Sequence, residues 1–223
     1  MKRVLAHRLE EVRSRIRRAA ERAGRDPSAI TLVAVTKKFP STVIREAYNL
    51  GIRDFGENYV QEFERKHPDV AALPDARFRL IGSLQSNKSR RAAEIFSAVD
   101  TIDSLKLVRR LDEQTPKPLD VMVEVKLGGE ETKTGAPPDA VPEVIGALRE
   151  ARNLRLTGLM TMPPWSADAE RSRPYFRCLR EIAGRYGLAE LSMGMSNDLE
   201  VGIEEGATMV RVGTALFGPR PKA

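Results

Sequence analysis

One stretch, Thr31-Leu-Val-Ala-Val-Thr-Lys37, limits what this chain can become. It is short, apolar and rich in β-branched residues, with no polar alternation. That is the pattern of a strand buried on both faces, as in parallel sheets covered by helices. Lys38 and Pro40 follow, and a proline cannot donate to a ladder, so the strand ends there. A lysine at the tip of a buried strand is partly desolvated, which lowers an amine's pKa and makes it nucleophilic. A solvated loop lysine fits the same local pattern, so the rest of the chain has to decide.

Read in order, the chain repeats the strand-then-helix theme. A charged amphipathic helix comes first, with Leu5, Leu9, Val12 and Ile16 on one face. After the Thr31 strand, Ser41 is placed to cap a helix to about Leu50, closed by Gly51. Further strands are predicted at 52–55, 78–81, 98–102, 119–126, 154–160, 190–192 and 208–212. Helices are predicted from Tyr59 to about Lys66, from Ser104, over 139–151 and 167–186, and from Met193 or Ser196 to Gly206. Eight such units with short connections indicate a closed parallel (β/α)8 TIM barrel preceded by an extra N-terminal helix. No low-complexity linker interrupts the 223 residues, so one domain over 1–223 is expected.

Composition narrows the class. No apolar run approaches the roughly 20 residues of a membrane span, and the N-terminus lacks the apolar core of a secretory signal. The single cysteine, Cys178, fits a reducing cytoplasm. His7 and His67 are far apart, and no Cys/His cluster has metal-ligand spacing. The net charge of +6 sits entirely in residues 1–25, with nine Lys/Arg against three Asp/Glu. The remaining chain carries 28 of each sign. A charge run without interleaved aromatics reads as a solvated helix face, so nucleic acid is not an expected partner.

In a barrel of this kind the site lies at the C-terminal ends of the strands. Lys37, Gly56-Glu57-Asn58, Gln85, Asn87 and Lys88, Lys133, Ser196 and Arg211-Val-Gly213-Thr214 all fall there. Gly194-Met-Ser196-Asn197 and Gly213-Thr214 follow strands seven and eight, where barrels commonly bind phosphate. A phosphate site facing a nucleophilic lysine suggests a phosphorylated aldehyde held as a Schiff base, and pyridoxal 5′-phosphate combines those needs.

Six segments carry a resemblance: Ala34-Val-Thr-Lys37, Phe55-Gly-Glu-Asn-Tyr-Val-Gln61, Ile81-Gly-Ser-Leu-Gln-Ser-Asn-Lys88, Gly158-Leu-Met160, Leu191-Ser-Met-Gly-Met-Ser196 and Thr208 to Gly218. Together, and in this order, they resemble the pyridoxal phosphate homeostasis protein family, single-domain relatives of the N-terminal barrel of alanine racemase. The resemblance implies the fold-type III barrel of pyridoxal phosphate proteins. It implies that Lys37 rather than Lys38 carries the cofactor, that Ser196, Gly213 and Thr214 hold its phosphate, and that Arg211 faces the pyridine nitrogen. Asn58 would then lie near the ring, with Met160, Met193 and Met195 as apolar walls. Arg79 stands where many members have histidine. Lys126 stands where many have asparagine and adds a cation at the exit of strand five, placed for a phosphate or substrate contact.

The function implied is a cytoplasmic, monomeric carrier that holds pyridoxal phosphate and delivers it to apo-enzymes. The alternative is a weak amino-acid racemase or lyase. A racemase needs a second base opposite Lys37, which alanine racemase takes from a C-terminal domain. This chain ends five residues past Gly218, so that domain is not expected, and among its tyrosines only Tyr59 falls near a strand end.

Overall fold

The computed structural model describes residues 2–129 and 134–219. Among them, eight strands run β1 (Thr31–Val35), β2 (Asp54–Glu57), β3 (Arg77–Leu80), β4 (Ala98–Ile102), β5 (Leu119–Glu124), β6 (Leu154–Met160), β7 (Glu190–Met195) and β8 (Met209–Val212). Each pairs in parallel with its sequence neighbours, and β1 also pairs with β8, so the sheet closes into the expected barrel. The predicted loop from Gly128 to Gly135 includes residues 130–133, so Lys133 lies outside the described residues.

Helices follow the strands: α1 (Lys2–Arg22) precedes β1, then come α2 (Ser41–Asn49), α3 (Val60–Val70), α4 (Ser89–Ile95) and α5 (Leu105–Gln114). The later ones are α6 (Val141–Glu150), α7 (Arg173–Arg185), α8 (Leu199–Glu204) and α9 (Thr214–Phe217). The stripe of α1 docks as its spacing predicts, with Leu5, Leu9, Val12 and Ile16 all buried. Its basic face is less solvated than expected. Arg15 bonds Glu200 through Nε at 2.6 Å and Nη2 at 2.7 Å, and Arg22 bonds Glu204 at 2.9 Å, so two arginines fasten α1 to α8. Among the described residues no helix is long and apolar enough to cross a membrane.

Several boundaries move for identifiable reasons. Ser41 is the first residue of α2 rather than its cap, and its hydroxyl donates to Asp69 at 2.6 Å. α3 runs through Pro68 to Val70, whose complete burial holds the final turn in place. The expected helix over 167–186 is split into a 3-10 turn (Ala169–Ser172) and α7, with Pro174 in α7's first turn, where a missing N–H is harmless. β7 does not stop at Ser192. It continues to Met195, because Gly194 (φ +90°) lets the strand end bend against Leu199 and Gly202. A Cβ on Gly202 would lie 3.0 Å from Gly194 Cα, so the pair sets how tightly α8 packs.

Side chains fill the barrel in layers. Arg79 and Asp100 form a buried bidentate pair, both bonds 2.8 Å, with Asp54 4.0 Å from the guanidinium. Leaving one partner of such a pair alone costs about 3–5 kcal/mol, so Arg79 is a structural residue. Val33, Met122, Met160 and Met209 form a second cluster, and Met162 packs on it from the mouth side.

Candidate cofactor site

β1 delivers Lys37 to the mouth through a turn. Thr36 N–H donates to Gly56 O at 2.9 Å, which extends the ladder one step beyond the strand, and Phe39 N–H donates back to Thr36 O at 3.1 Å. Lys38 takes φ +65°, rare for a residue with a Cβ. Lys37 is half-buried and lines a cavity of about 280 Å³, whereas Lys38 is exposed and lies outside its lining.

Behind this turn lies a buried ionic cluster. Lys66 of α3 donates to Thr36 O at 3.0 Å and to both Glu57 carboxylate oxygens at 2.9 and 3.1 Å. It also pairs with Glu62 at 2.6 Å. Thr36 Oγ1 donates to Glu57 at 2.8 Å, and Lys38 N–H donates to Glu62 at 2.6 Å. Glu57, expected at the mouth, therefore turns away from it toward α3.

The opposite side of the cavity comes from the loops after β7 and β8. Ser196 Oγ accepts from Ala215 N–H at 3.2 Å, which joins the two loops and brings Ser196 beside Gly213 and Thr214. Ser196 does not open a helix. Asp198 takes the N-cap position of α8, and its carboxylate accepts from Met195 N–H at 2.7 Å and Ser172 Oγ at 2.8 Å. Arg15 of α1 donates to Ser196 O at 3.0 Å. Asn197 donates to Ser166 O at 2.9 Å, tying in the loop after β6.

Arg211 lies at the base of the cavity, almost wholly buried. Its Nη1 donates to Ser192 O and Oγ at 2.6 and 2.8 Å, and its Nη2 to Thr161 O at 2.9 Å. Burial pulls its pKa below the usual arginine value, opposed by the carboxylates of Asp100, Glu124 and Asp198. Asn58, the first residue after β2, also faces the cavity. Its Oδ1 is buried with no donor among the described residues. Gly82 permits this placement, since a Cβ there would stand 2.3 Å from Asn58 O.

Of the expected methionines, Met195 lines the cavity. Met160 does not, because its side chain belongs to the layer below, and Met162, two residues on along the same side, reaches the mouth instead. Met193 is part of the main core. Val35, Ile81, Asp198 and the rim of Pro163, Pro164 and Trp165 were not anticipated. Val35 was legible as the residue two before Lys37. A second cavity of about 440 Å³ shares Asn58, Ile81 and Met162 and adds Tyr59, Gln85, Lys88 and Glu124. Burial pushes the Glu124 carboxyl up, against a hydrogen bond from Thr134 and the charge of Arg211. Lys126 lies outside the lining of both cavities.

A half-buried lysine, a hydroxyl beside glycine-containing loops, a buried cation and an apolar wall thus surround a space at the small end of ligand pockets. The family described as alanine racemase, N-terminal domain, matches residues 8–221. The pyridoxal phosphate homeostasis protein of Pseudomonas aeruginosa is 46% identical over 221 residues, covering 97% of this chain and 96% of the relative. That of Aquifex aeolicus is 42% identical over 222 residues, covering 96% and 97%. The solved structure of PipY from Synechococcus elongatus with PLP bound superposes with a TM-score of 0.84 at 36% identity, covering 96% of this chain and all of that one. Alanine racemase of Clostridium difficile, at 14% identity and a TM-score of 0.75, shares the fold over 57% of its length. By sequence over nearly its whole length, and by fold, the chain belongs to the pyridoxal phosphate homeostasis protein family.

Proposed function

We propose that this chain binds pyridoxal 5′-phosphate in the Lys37 cavity as a protein of cofactor homeostasis, and gives the cofactor up to apo-enzymes. The observation that carries the reading is the single cavity shared by Lys37, Arg211 and the Ser196 and Gly213-Thr214 loops. Lys37 Nζ holds the aldehyde carbon as a Schiff base, with loss of water. Ser196 and the Gly213-Thr214 backbone take the phosphate, and Met195 and Ile81 flank the ring. Asn58 Oδ1, buried without a donor among the described residues, is suited to a polar group on the ring.

When bound, the cofactor supplies an electrophilic carbonyl and an electron-withdrawing ring. Arg211 weakens the second property. A cation beside the ring nitrogen keeps it unprotonated, where a carboxylate would favour the proton. The cavity therefore favours reversible amine exchange over carbanion chemistry. Lys37 yields its place to an outside amine, which suits storage and release.

The test is an absorption spectrum of purified protein with pyridoxal phosphate, before and after borohydride, followed by mapping of the fixed adduct. The adduct is expected on Lys37, absent in Lys37→Ala and retained in Lys38→Ala. Loaded protein mixed with an apo-transaminase should restore its activity, and the same protein with L-alanine should yield neither D-alanine nor pyruvate. Label on Lys38, or many turnovers of alanine per protein, would overturn the reading.

A further inference from the structure

We infer that Lys66, Glu62 and Glu57 are positioning residues for Lys37, an inference that rests on the cofactor-site reading above. The peptide groups on both sides of Lys37 are held by charged side chains. The Thr36 carbonyl accepts from the Lys66 ammonium, and the Lys38 amide donates to the Glu62 carboxylate. The Thr36 hydroxyl is fixed by Glu57, which also binds Lys66. Lys66 and Glu57 come from α3 and β2, so strand tip, neighbouring strand and covering helix meet at one residue's backbone.

Stability alone is a poor account of this cluster. Glu57 is fully buried and Lys66 is 8% exposed, and a buried ion group rarely outperforms apolar packing of the same volume. What charges add is direction. Two of them grip one peptide group each, and Lys38, just past the second, is held at φ +65°, a conformation strained for a residue with a Cβ unless a contact compensates. The Glu62 bond to the Lys38 amide is that contact. With its anchor peptide fixed, the Lys37 amine keeps a narrow range of approach to a carbonyl carbon in the cavity. There the C–N bond forms, both amine protons leave with the carbonyl oxygen as water, and no oxidant or reductant is consumed. A misplacement of about 1 Å in such an approach costs on the order of a hundredfold.

The experiment compares two ligands, pyridoxal 5′-phosphate and pyridoxine 5′-phosphate, whose alcohol cannot bond to an amine. Lys66→Met is expected to weaken pyridoxal phosphate and slow borohydride-fixed adduct formation by about tenfold to a hundredfold. Pyridoxine phosphate should change by less than about twofold. Glu62→Ala, in the first turn of α3, removes the grip on Lys38 and one of the pairings of Lys66, and is expected to show the same split at about threefold to tenfold. It carries the test if Lys66→Met does not fold. Equal weakening of both ligands, or a fall in melting temperature with unchanged adduct formation, would overturn the inference. If Lys37→Ala still forms the borohydride-fixed adduct, the cofactor-site reading fails instead.

Discussion

The two sides of the cavity are built by opposite means. On the β1 side, Lys66 and Glu62 each grip a peptide group beside Lys37 while Glu57 holds the Thr36 hydroxyl, and Lys66 and Glu57 are almost completely buried. On the β7–β8 side, a neutral hydroxyl joins the two loops to each other, and the charged groups, Asp198, Arg211 and Arg15 of α1, hold the segments around Ser196 rather than the peptides of one residue. The difference suits the roles proposed for the two sides. A bond-forming amine needs one direction of approach. An anion is satisfied by several donors of modest accuracy, which tolerate small shifts. Rigidity is therefore concentrated where covalent chemistry is proposed.

Lys37→Ala probes this contrast with the largest expected effect, complete loss of the fixed adduct while pyridoxine phosphate still binds. Ser196→Ala should weaken both phosphate ligands together. A hydrogen bond to a charged group is worth about 1.5–3 kcal/mol, so the loss should be at most about two decades. If titration instead shows only the aldehyde form weakened, the two sides are not independent.

Arg15→Met sharpens the comparison from a distance. It removes a part-exposed ion pair and the bond to Ser196 O, together worth about 1 kcal/mol after solvent screening. Both phosphate ligands should weaken by about threefold to tenfold, with the rate of adduct formation unchanged. Equilibrium dialysis and borohydride trapping separate these readouts.

The smallest effect concerns Glu124, whose carboxyl burial raises above the ordinary range. Below a pH of about 4 the group is protonated in folded and unfolded chains alike. As pH rises through the raised value, the fold must hold a desolvated charge that the unfolded chain carries in water, so stability is lost. Glu124→Gln should thus melt higher than the parent at pH 8, by about 2–4 °C per kcal/mol, with the gap closing toward pH 4. A constant gap across that range would exclude the charge as its cause.

Much of this was legible in the sequence. An uninterrupted apolar strand such as Thr31–Val35 admits few environments, and the α1 stripe admits one. Lys37, Ser196 and Gly213 stood at strand exits, where a barrel collects its site. What local pattern could not provide was height along the barrel. Alternation says that Met160 and Met162 share a side, but not which of them reaches the mouth. Nor did it reveal contacts made across sequence distance. The Gly194–Gly202 approach extended β7 past its predicted end, Asp100 turned Arg79 into a structural residue, and the Lys66 cluster turned Glu57 from the mouth.

Closure of β1 onto β8 has a consequence for when the site exists. Lys37 leaves β1, while Arg211 and Gly213 sit on and just past β8, so the cavity straddles the seam where the barrel shuts. Its two halves are almost the whole described chain apart in sequence, which makes their meeting one of the most non-local events in folding. A nascent chain that has released β1 through β7 carries the lysine but neither Arg211 at the base of the cavity nor the Gly213-Thr214 loop. Cofactor capture must therefore wait for the final strand, and a bound molecule bridging the seam would act as a rivet on the step that completes the barrel.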